Sequence, residues 1–374
     1  CNSAEDLFSA FARGNETDII MYAHCGGRYA DIELAHDGRF EKSMEIHSSW
    51  GTFEWLVHDA FRLGYRFGIV ANSDGHKGRP GASYPGASQF GAVGGLTCFL
   101  INELTRETVL DCMRKRHHYA TTGGENGRPL INLHTSFTLP GRVYHDDPNL
   151  FDTSYIEASS ALMGDIVHLP DGEMELDVEI NCNVPIERID IFNGLEKLET
   201  IKPYKQDELG NRIRIIWEGA EYRGRFREVI WDGLAFLSDN EIVSSKAINF
   251  FNKDKNLTQL SPNELKWTAL TTGNIGGFDM SLSDPYSGTL KIETPLVKAS
   301  IPIENIGYED NIFDNSGVLP RYLKVFRLPT ENPHKTMQVN YPVELNSKGD
   351  NPIFVRITQE DGTLAWTSPI YVYR

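Results

Sequence analysis

The sequence has few cysteines, no long apolar run and fewer basic than acidic residues. Five cysteines are spread over 374 residues without a Cys-x-x-Cys pair, so neither a disulfide framework nor a thiolate zinc site is expected, and a reducing compartment fits. Neither an apolar run of about eighteen residues nor a charged and then apolar leader occurs, so we expect no membrane partner and favour a cytoplasmic location for the chain as given. A net charge of −16 argues against nucleic acid as a partner.

The chain is long enough for two domains, and its hydrophobic pattern changes near residue 125. Strands alternate with helices from Asp18 to Gly124, which is typical of parallel βα units and predicts an α/β fold, part of a barrel. Later segments show strand patterns with Asn-Gly and Asp-Gly turns and predict an all-β sandwich. We therefore predict a metal-binding barrel portion at 1–125 and a β-sandwich domain at 126–374, with an irregular connector at about 139–160.

One loop in the first part has the composition of a metal site. A short apolar strand at 68–71 leads into a glycine- and proline-rich loop that contains Asp74 and His76. The carboxyl ends of barrel strands are where such folds place their chemistry. In extended backbone, residues two apart lie on the same face, so we expect a carboxylate oxygen and an imidazole nitrogen to converge on one ion.

Other polar residues also follow predicted strands. His24, the pair Glu45 and His47, and Thr121 with its neighbour Thr122 all lie at or just after strand ends. The carboxyl ends of barrel strands face a common mouth. Histidine or aspartate at successive strand ends therefore favours a metal centre. Two further histidines, at positions 36 and 58, lack this placement, and we assign them no role.

Five motifs together carry a resemblance to a known family. They are His24-Cys-Gly-Gly-Arg28, Met44-Glu-Ile-His-Ser-Ser-Trp-Gly-Thr-Phe-Glu-Trp55, Ser73-Asp-Gly-His-Lys-Gly-Arg-Pro-Gly81, Gly94-Gly-Leu-Thr97 and Arg116-His-His-Tyr-Ala-Thr-Thr-Gly123. This series resembles the latter half of a PHP-type (polymerase and histidinol phosphatase) metallohydrolase, in the poorly characterised branch that includes carbaryl-hydrolase-like proteins and has a β-rich C-terminal extension.

The resemblance implies a partial, distorted (β/α)7 barrel that holds divalent zinc, manganese or iron and activates water for hydrolysis of phosphoesters or carbamate and related esters. His24 resembles the family histidine after a middle strand, and Asp74 and His76 resemble its terminal Asp-x-His. Glu45 resembles a residue that lines the site, and His47 is a further candidate ligand.

The family's His-x-His motif and bridging glutamate are missing from this sequence, and His117-His118 are adjacent, so their side chains point apart on a strand. Three explanations stay open. His24, Asp74 and His76 bind a single ion; earlier strands of a parent protein supply the rest; or the open edge pairs with a second copy. We favour a fragment that associates and therefore expect a homo-oligomer.

The predicted activity is metal-dependent hydrolysis of a small ester, with phosphoesters, phosphotriesters or carboxyl and carbamate esters as substrates. Asp74 and His76 are the predicted catalytic residues, and bound metal lowers the pKa of water toward about 7. Lys77, Arg79, Glu45 and Thr121 are candidate substrate-binding residues. The alternative is a non-catalytic, carbohydrate-type β-sandwich binding protein with a degenerate barrel.

Overall fold

The computed structural model describes residues 2–16, 18–24, 30–75, 93–124, 126–221, 223, 228–252 and 254–374. Among these residues, strands account for 47% and helices for 10%. The strands form several sheets, none of which closes on itself within the described ranges, and the fold is β-rich and sandwich-like. The predicted α/β barrel, a partial PHP-type (β/α)7 barrel at 1–125, is therefore wrong.

The described part of the chain up to residue 124 contains three α-helices and six strands. They are α1 (Ala4–Gly14), β1 (Met21–Ala23), β2 (Glu41–Ser48), β3 (Gly51–Thr52), α2 (Glu54–Arg62), β4 (Gly68–Ala71), β5 (Leu96–Phe99), α3 (Arg106–Lys115) and β6 (His118–Thr121). The sequence pattern predicts helices at Ala4–Arg13, Thr52–Leu63 and Thr105–Lys115, and each α-helix lies within a few residues of its predicted position. The local patterns were therefore interpreted correctly even though the barrel was not.

The described residues after 125 form strands and two short 3₁₀ helices, at Gln206–Glu208 and Ile303–Asn305. The strands are β7 (Leu130–Tyr144), β8 (Ile156–Leu162), β9 (Ile166–His168), β10 (Met174–Asn181), β11 (Ile186–Asn193), β12 (Glu196–Ile201), β13 (Arg212–Gly219), β14 (Val229–Ile230), β15 (Gly233–Ser238), β16 (Ile242–Ile248), β17 (Leu257–Ser261), β18 (Glu264–Trp267), β19 (Leu270–Thr271), β20 (Ile275–Leu282), β21 (Thr289–Glu293), β22 (Lys298–Pro302), β23 (Asn311–Asp314), β24 (Arg321–Leu328), β25 (Thr336–Val343), β26 (Asp350–Gln359), β27 (Leu364–Thr367) and β28 (Ile370–Tyr373).

A small parallel sheet holds the first strands. β2 lies between β1 and β4 and is parallel to both, while the short β3 returns antiparallel to β2. β2 is buried along its whole length and β4 is buried at every residue. The parallel sheet therefore has the buried strands that a βα unit requires, but it stops at β4.

On the edge of β4 that faces away from β2, side chains form hydrogen bonds with the backbone N–H and carbonyl groups near the start of the strand. The Tyr371 hydroxyl accepts a hydrogen bond from the Phe67 N–H at 2.8 Å and donates one to the Phe67 carbonyl at 2.9 Å. The Ser368 hydroxyl accepts from the Ile69 N–H at 3.0 Å. Tyr371 within β28 and Ser368 just before it thus provide the hydrogen-bond partners that these buried backbone groups would otherwise lack.

Side chains also bond the backbone of β4 further along the strand. His118 Nδ1 donates to the Ile69 carbonyl at 3.0 Å, and the Thr97 hydroxyl bonds both the N–H and the carbonyl of Ala71, at 3.1 and 2.8 Å. The next strands, β5 and β6, pair with each other antiparallel instead of extending the parallel sheet. Among the described residues, polar side chains on β5, β6 and β28 and at Ser368 thus bond the edge of β4 at which a barrel would need its next parallel strand.

The largest sheet has twelve strands and includes both early and late segments. β6 pairs antiparallel with β27, so β5 and β6 form one end of a path that continues through β26, β28, β9, β7 and β10 to β25. Two five-stranded sheets, β16-β20-β13-β24-β23 and β17-β18-β15-β21-β22, pack around a buried core that contains Trp217 and Trp267. These indole rings stack with centroids 5.4 Å apart.

The first part of the chain shares a hydrophobic core with the later sheets. Phe53, Leu56 and Phe67 belong to the same buried cluster as Phe354 and Trp366. Burial of large aromatic side chains is among the strongest contributions to folding.

None of the described helices has both the length and the apolar composition that a membrane span requires.

Candidate functional site

Three predicted site residues come together at the carboxyl end of the parallel sheet. His24 directly follows β1, Glu45 lies within β2, and Asp74 lies in the loop after β4. His24 Nδ1 is 2.5 Å from Glu45 Oε2, and His24 Nε2 is 3.7 Å from Asp74 Oδ2. The imidazole of His24 therefore lies between two carboxylates.

Asp74 reaches this position through a left-handed backbone conformation, not through the extended strand that the Asp-x-His spacing predicts. Its φ is 46°, and β4 has already ended at Ala71. Ser49 holds the loop: its hydroxyl donates to the Asp74 carbonyl at 3.3 Å, and its N–H donates to the Ser73 carbonyl at 3.3 Å. The loops after β2 and β4 are thus joined beside the site.

Glu45 is buried and positioned from two sides. Its Oε1 accepts a hydrogen bond from Asn72 Nδ2 at 2.8 Å, while Oε2 faces His24. Tyr22, two residues before His24, has a raised pKa because burial and the charges of Glu45 and Asp74 disfavour its phenolate. The site is therefore electronegative, which is the electrostatic environment that attracts a cation.

The donor set fits a divalent transition metal. A glutamate that binds the Nδ1 proton of a histidine fixes the tautomer in which Nε2 is available as a ligand. Two ligand atoms at about 2.1 Å from one tetrahedral ion lie about 3.4 Å apart, and His24 Nε2 and Asp74 Oδ2 are 3.7 Å apart. His24 and Asp74 can therefore contribute to one coordination sphere with Glu45 as the orienting carboxylate.

His47 is buried, and both of its ring nitrogens are hydrogen bonded. Nε2 lies 2.6 Å from the Val93 carbonyl and Nδ1 lies 2.9 Å from the Thr52 hydroxyl. The Nε2–H therefore donates to Val93 and Nδ1 accepts from Thr52, which leaves the ring neutral. Burial lowers the pKa of His47 to about 4. Coordination of an ion by His47 would require the loss of one of these bonds.

The other predicted residues are placed as follows. Thr121 is buried in β6, where its hydroxyl donates to the Gly127 carbonyl at 3.0 Å and accepts from the Gly123 N–H at 3.3 Å. Its hydroxyl is thus already used within the fold. His76, Lys77 and Arg79 lie outside the described residues.

A separate cleft lies between α2 and the later sheets. Its volume is about 490 Å³, and its aromatic lining residues are Trp55, Phe192, Tyr322, Phe354 and Trp366. The lining includes Ile46 of β2 but not His24, Glu45 or Asp74. A volume of this size suits a small ligand.

Charged side chains are arranged along the same cleft. Arg356 bonds Glu54 at 3.1 Å and Asp190 at 3.1 Å, and Trp366 Nε1 donates to Glu54 at 2.8 Å. Lys324 donates to Glu218 at 2.5 Å. The cleft thus combines aromatic surfaces with fixed hydrogen-bonding groups.

A second His/carboxylate group, which the sequence pattern does not predict, lies elsewhere in the fold. It contains His117, His145 and Asp165, whose ligand atoms lie within 4.8 Å of one another. His117 and His145 are separated by 28 positions and His145 and Asp165 by 20, so no short motif links them. The adjacent histidines at 117 and 118 were the only local signal.

Comparisons with protein-family models, curated proteins and solved structures found no match to this chain. The resemblance to PHP-type metallohydrolases therefore remains a hypothesis based on five short motifs.

Proposed function

We propose that the chain is a metal-dependent hydrolase that acts on a small ester. The observation that carries the proposal is the placement of His24 Nε2 and Asp74 Oδ2 3.7 Å apart while Glu45 holds His24 Nδ1. A histidine oriented by a carboxylate is the usual arrangement of a metal ligand. Zinc, manganese and iron are the ions that suit a mixed nitrogen and oxygen donor set.

Each residue has a distinct role in this proposal. His24 and Asp74 are ligands, and His76, which follows Asp74 by two positions in the sequence, is the candidate third ligand. Glu45 is a positioning residue, because its Oε2 accepts a hydrogen bond from His24 Nδ1–H and so leaves the lone pair on Nε2, which faces Asp74. A bound divalent ion would supply an activated water and polarise the electrophile.

The substrate class follows from the same chemistry. An activated water attacks phosphorus or carbonyl centres, so phosphoesters, phosphotriesters and carboxyl or carbamate esters are the proposed substrates. Lys77 and Arg79 are the proposed anion-binding residues, because both follow the Asp74 loop in the sequence. Association with a second copy also remains a proposal, and size-exclusion chromatography tests it.

The test measures metal content and hydrolysis in the full chain. Wild-type protein is loaded with Zn²⁺ or Mn²⁺ and assayed with p-nitrophenyl phosphate and p-nitrophenyl acetate. Asp74→Asn is the preferred variant, because asparagine tolerates the left-handed backbone of residue 74 and removes the charge. His24→Ala is the second variant.

A matched control is His134→Ala, which removes a half-exposed histidine that also faces an aspartate, Asp177, at 3.6 Å. We expect metal-dependent hydrolysis in wild type and His134→Ala, and its loss in Asp74→Asn and His24→Ala. Equal hydrolysis by wild type and Asp74→Asn, or no metal-dependent hydrolysis of either ester, would rule out the proposed site.

The aromatic cleft favours a second candidate function, a binding protein for a carbohydrate-sized ligand. Phe192 and Tyr322 are partly exposed there, and aromatic faces together with fixed polar groups suit sugar rings. Calorimetric titration with a panel of neutral oligosaccharides tests this function, with Phe192→Ala as the variant. Binding that is equal in both proteins, or absent from wild type, would exclude the cleft as the site.

A further inference from the structure

The group His117, His145 and Asp165 lies at a junction of three segments outside the proposed hydrolytic site. His117 directly precedes β6, His145 directly follows β7, and Asp165 lies between β8 and β9. His117 Nε2 is 2.8 Å from Asp165 Oδ1, and His145 Nδ1 is 3.0 Å from the same oxygen. Two imidazole nitrogens and one carboxylate oxygen thus converge on a small volume.

Arg116 fixes the backbone of all three segments. Its side chain is only 1% exposed, and its guanidinium donates to the carbonyls of Arg114, His145 and Gly164 at 3.2, 2.6 and 2.9 Å. Arg116 directly precedes His117, and Gly164 directly precedes Asp165. One buried cation therefore sets the positions from which all three side chains extend.

Gly164 is a steric requirement of the same junction. Its φ is +91°, and a Cβ at this position would lie 2.4 Å from the Arg116 carbonyl oxygen. A residue with a side chain would therefore push the Asp165 turn away from α3. The close approach keeps Asp165 within reach of both histidines.

Asp165 is held as a charged acceptor. Its Oδ2 accepts a hydrogen bond from the Leu162 N–H at 2.9 Å, which leaves Oδ1 for the two rings. Burial acts to raise the pKa of Asp165, but the hydrogen bonds from His117 and His145 outweigh it and lower this pKa to about 2. The carboxylate of Asp165 is therefore ionised at neutral pH.

The spacing suits coordination as well as hydrogen bonding. Two ligand atoms at about 2.1 Å from one ion, at an angle of about 90°, lie about 3 Å apart. The observed separations from Asp165 Oδ1 are 2.8 and 3.0 Å. The side chain of His145 is 36% exposed, which gives an ion and its remaining water ligands access from solvent.

We propose that His117 Nε2, His145 Nδ1 and Asp165 Oδ1 form a second site, which binds a divalent transition-metal ion of the Zn²⁺, Co²⁺ or Ni²⁺ type. Two imidazoles select these ions over Mg²⁺ and Ca²⁺, which prefer oxygen ligands. Binding requires that the hydrogen on His117 Nε2 and the hydrogen on His145 Nδ1 move to the other ring nitrogen or, from a protonated ring, to solvent, and it replaces two hydrogen bonds by three coordination bonds. Three protein ligands leave further positions for water.

The test is a titration of the full chain with Co²⁺, followed by visible absorption, and with Zn²⁺, followed by calorimetry. Asp74→Asn serves as the parent protein, because it lacks one of the two proposed ligands, His24 and Asp74, of the hydrolytic site. We expect this parent to bind one equivalent at the second site, and His145→Ala in the same background to weaken that binding at least 100-fold. His134→Ala in the same background is the matched control and should bind as the parent does.

His145→Gln is a second variant that keeps a hydrogen-bond donor beside Asp165, and circular dichroism verifies that each variant folds. Parent and His145 variants that bind Co²⁺ and Zn²⁺ equally, or a parent that binds neither ion, would overturn the second site. Failure of the proposed hydrolytic site has a different signature: wild type and Asp74→Asn then bind the same number of ions, while the effect of His145→Ala persists.

Discussion

The two His/carboxylate groups are built on opposite plans. In the first group one histidine, His24, lies between the carboxylates of Glu45 and Asp74. In the second group one carboxylate, Asp165, lies between His117 and His145. The first group has two carboxylates and one imidazole, so a single imidazolium could balance only one of its negative charges. The second group has one carboxylate and two imidazoles, and either ring could balance its charge.

Because of this difference, the negative charge of the two groups is compensated in different ways. The first group gains most from an added cation, since its two carboxylates lie on either side of a single imidazole. The second group already has proton donors for its single carboxylate, so a metal ion must compete with two hydrogen bonds. We therefore expect the first group to bind divalent ions more tightly and the second to depend more on its rigid support.

The largest expected effect distinguishes the two groups by activity. Asp74→Asn should reduce ester hydrolysis by on the order of 1,000-fold, or roughly 4 kcal/mol of transition-state stabilisation. Asp165→Asn should leave the rate of hydrolysis unchanged, because its group lies outside the proposed hydrolytic site. Steady-state kinetics of both variants measure the contrast. A greater loss in Asp165→Asn than in Asp74→Asn would reverse the assignment.

The next effect is acid destabilisation by two histidines that belong to neither group. Burial lowers the pKa of both His47 and His118 to about 4, against about 6.5 in the unfolded chain. Between these values the unfolded chain binds more protons, so stability is full above pH 6.5 and falls toward pH 4. Each histidine should cost about 3 kcal/mol over this window.

Urea unfolding at pH 7, 5.5 and 4.5 measures this loss, and His118→Gln should show a shallower dependence on pH than wild type. A free energy of unfolding that stays constant over this range would contradict the neutral, hydrogen-bonded state of both rings. The measurement also shows over which pH range the protein stays folded. Within that range, weaker metal binding by either group reflects protonation of its ligands and not unfolding.

A third effect tests the rigid support of the second group. Arg116→Met keeps an unbranched apolar side chain but removes the guanidinium and its three hydrogen bonds to carbonyls. We expect a loss of about 2–3 kcal/mol in the free energy of unfolding, since buried carbonyls lose their partners. Co²⁺ binding at the second site should weaken as well, whereas ester hydrolysis should persist. Retention of both stability and Co²⁺ binding would show that Arg116 does not organise the junction.

The smallest expected effect concerns Glu45. Glu45→Gln keeps the shape of the side chain but removes the charge that binds His24 Nδ1, so metal affinity should fall by about 10–100-fold. Competition with a chromophoric chelator measures this affinity. Equal affinity in wild type and Glu45→Gln would show that His24 does not depend on its carboxylate partner.

Local structure was predictable from the sequence where hydrophobic periodicity dominates. The strand at 68–71 and the three helices lie close to their predicted positions, and the turn at Asn193-Gly194 does connect an antiparallel pair, β11 and β12. Asp232-Gly233 was misleading, because β14 and β15 on either side of it pair with other strands.

The assembly could not be predicted, because it depends on contacts between distant residues. Nothing in the β4 pattern indicates that Thr97 or Tyr371 will bond its edge, so the barrel was a reasonable but wrong extrapolation. The first group was predictable in part, since His24 and Asp74 each follow a strand. The second group was not, because Asp165 has no motif in common with its histidines.

The bonded edge of β4 also has a consequence for how the protein is made. Tyr371 follows Phe67 by 304 positions, and Ser368 follows Ile69 by 299. At roughly 5–20 residues per second, a ribosome adds this length on the order of 15–60 s after β4 has been synthesised. Throughout that interval the β4 backbone lacks its final partners and resembles an open strand edge, the kind of surface that chaperones protect. The start of the chain therefore completes its folding only after residues near 370 have emerged.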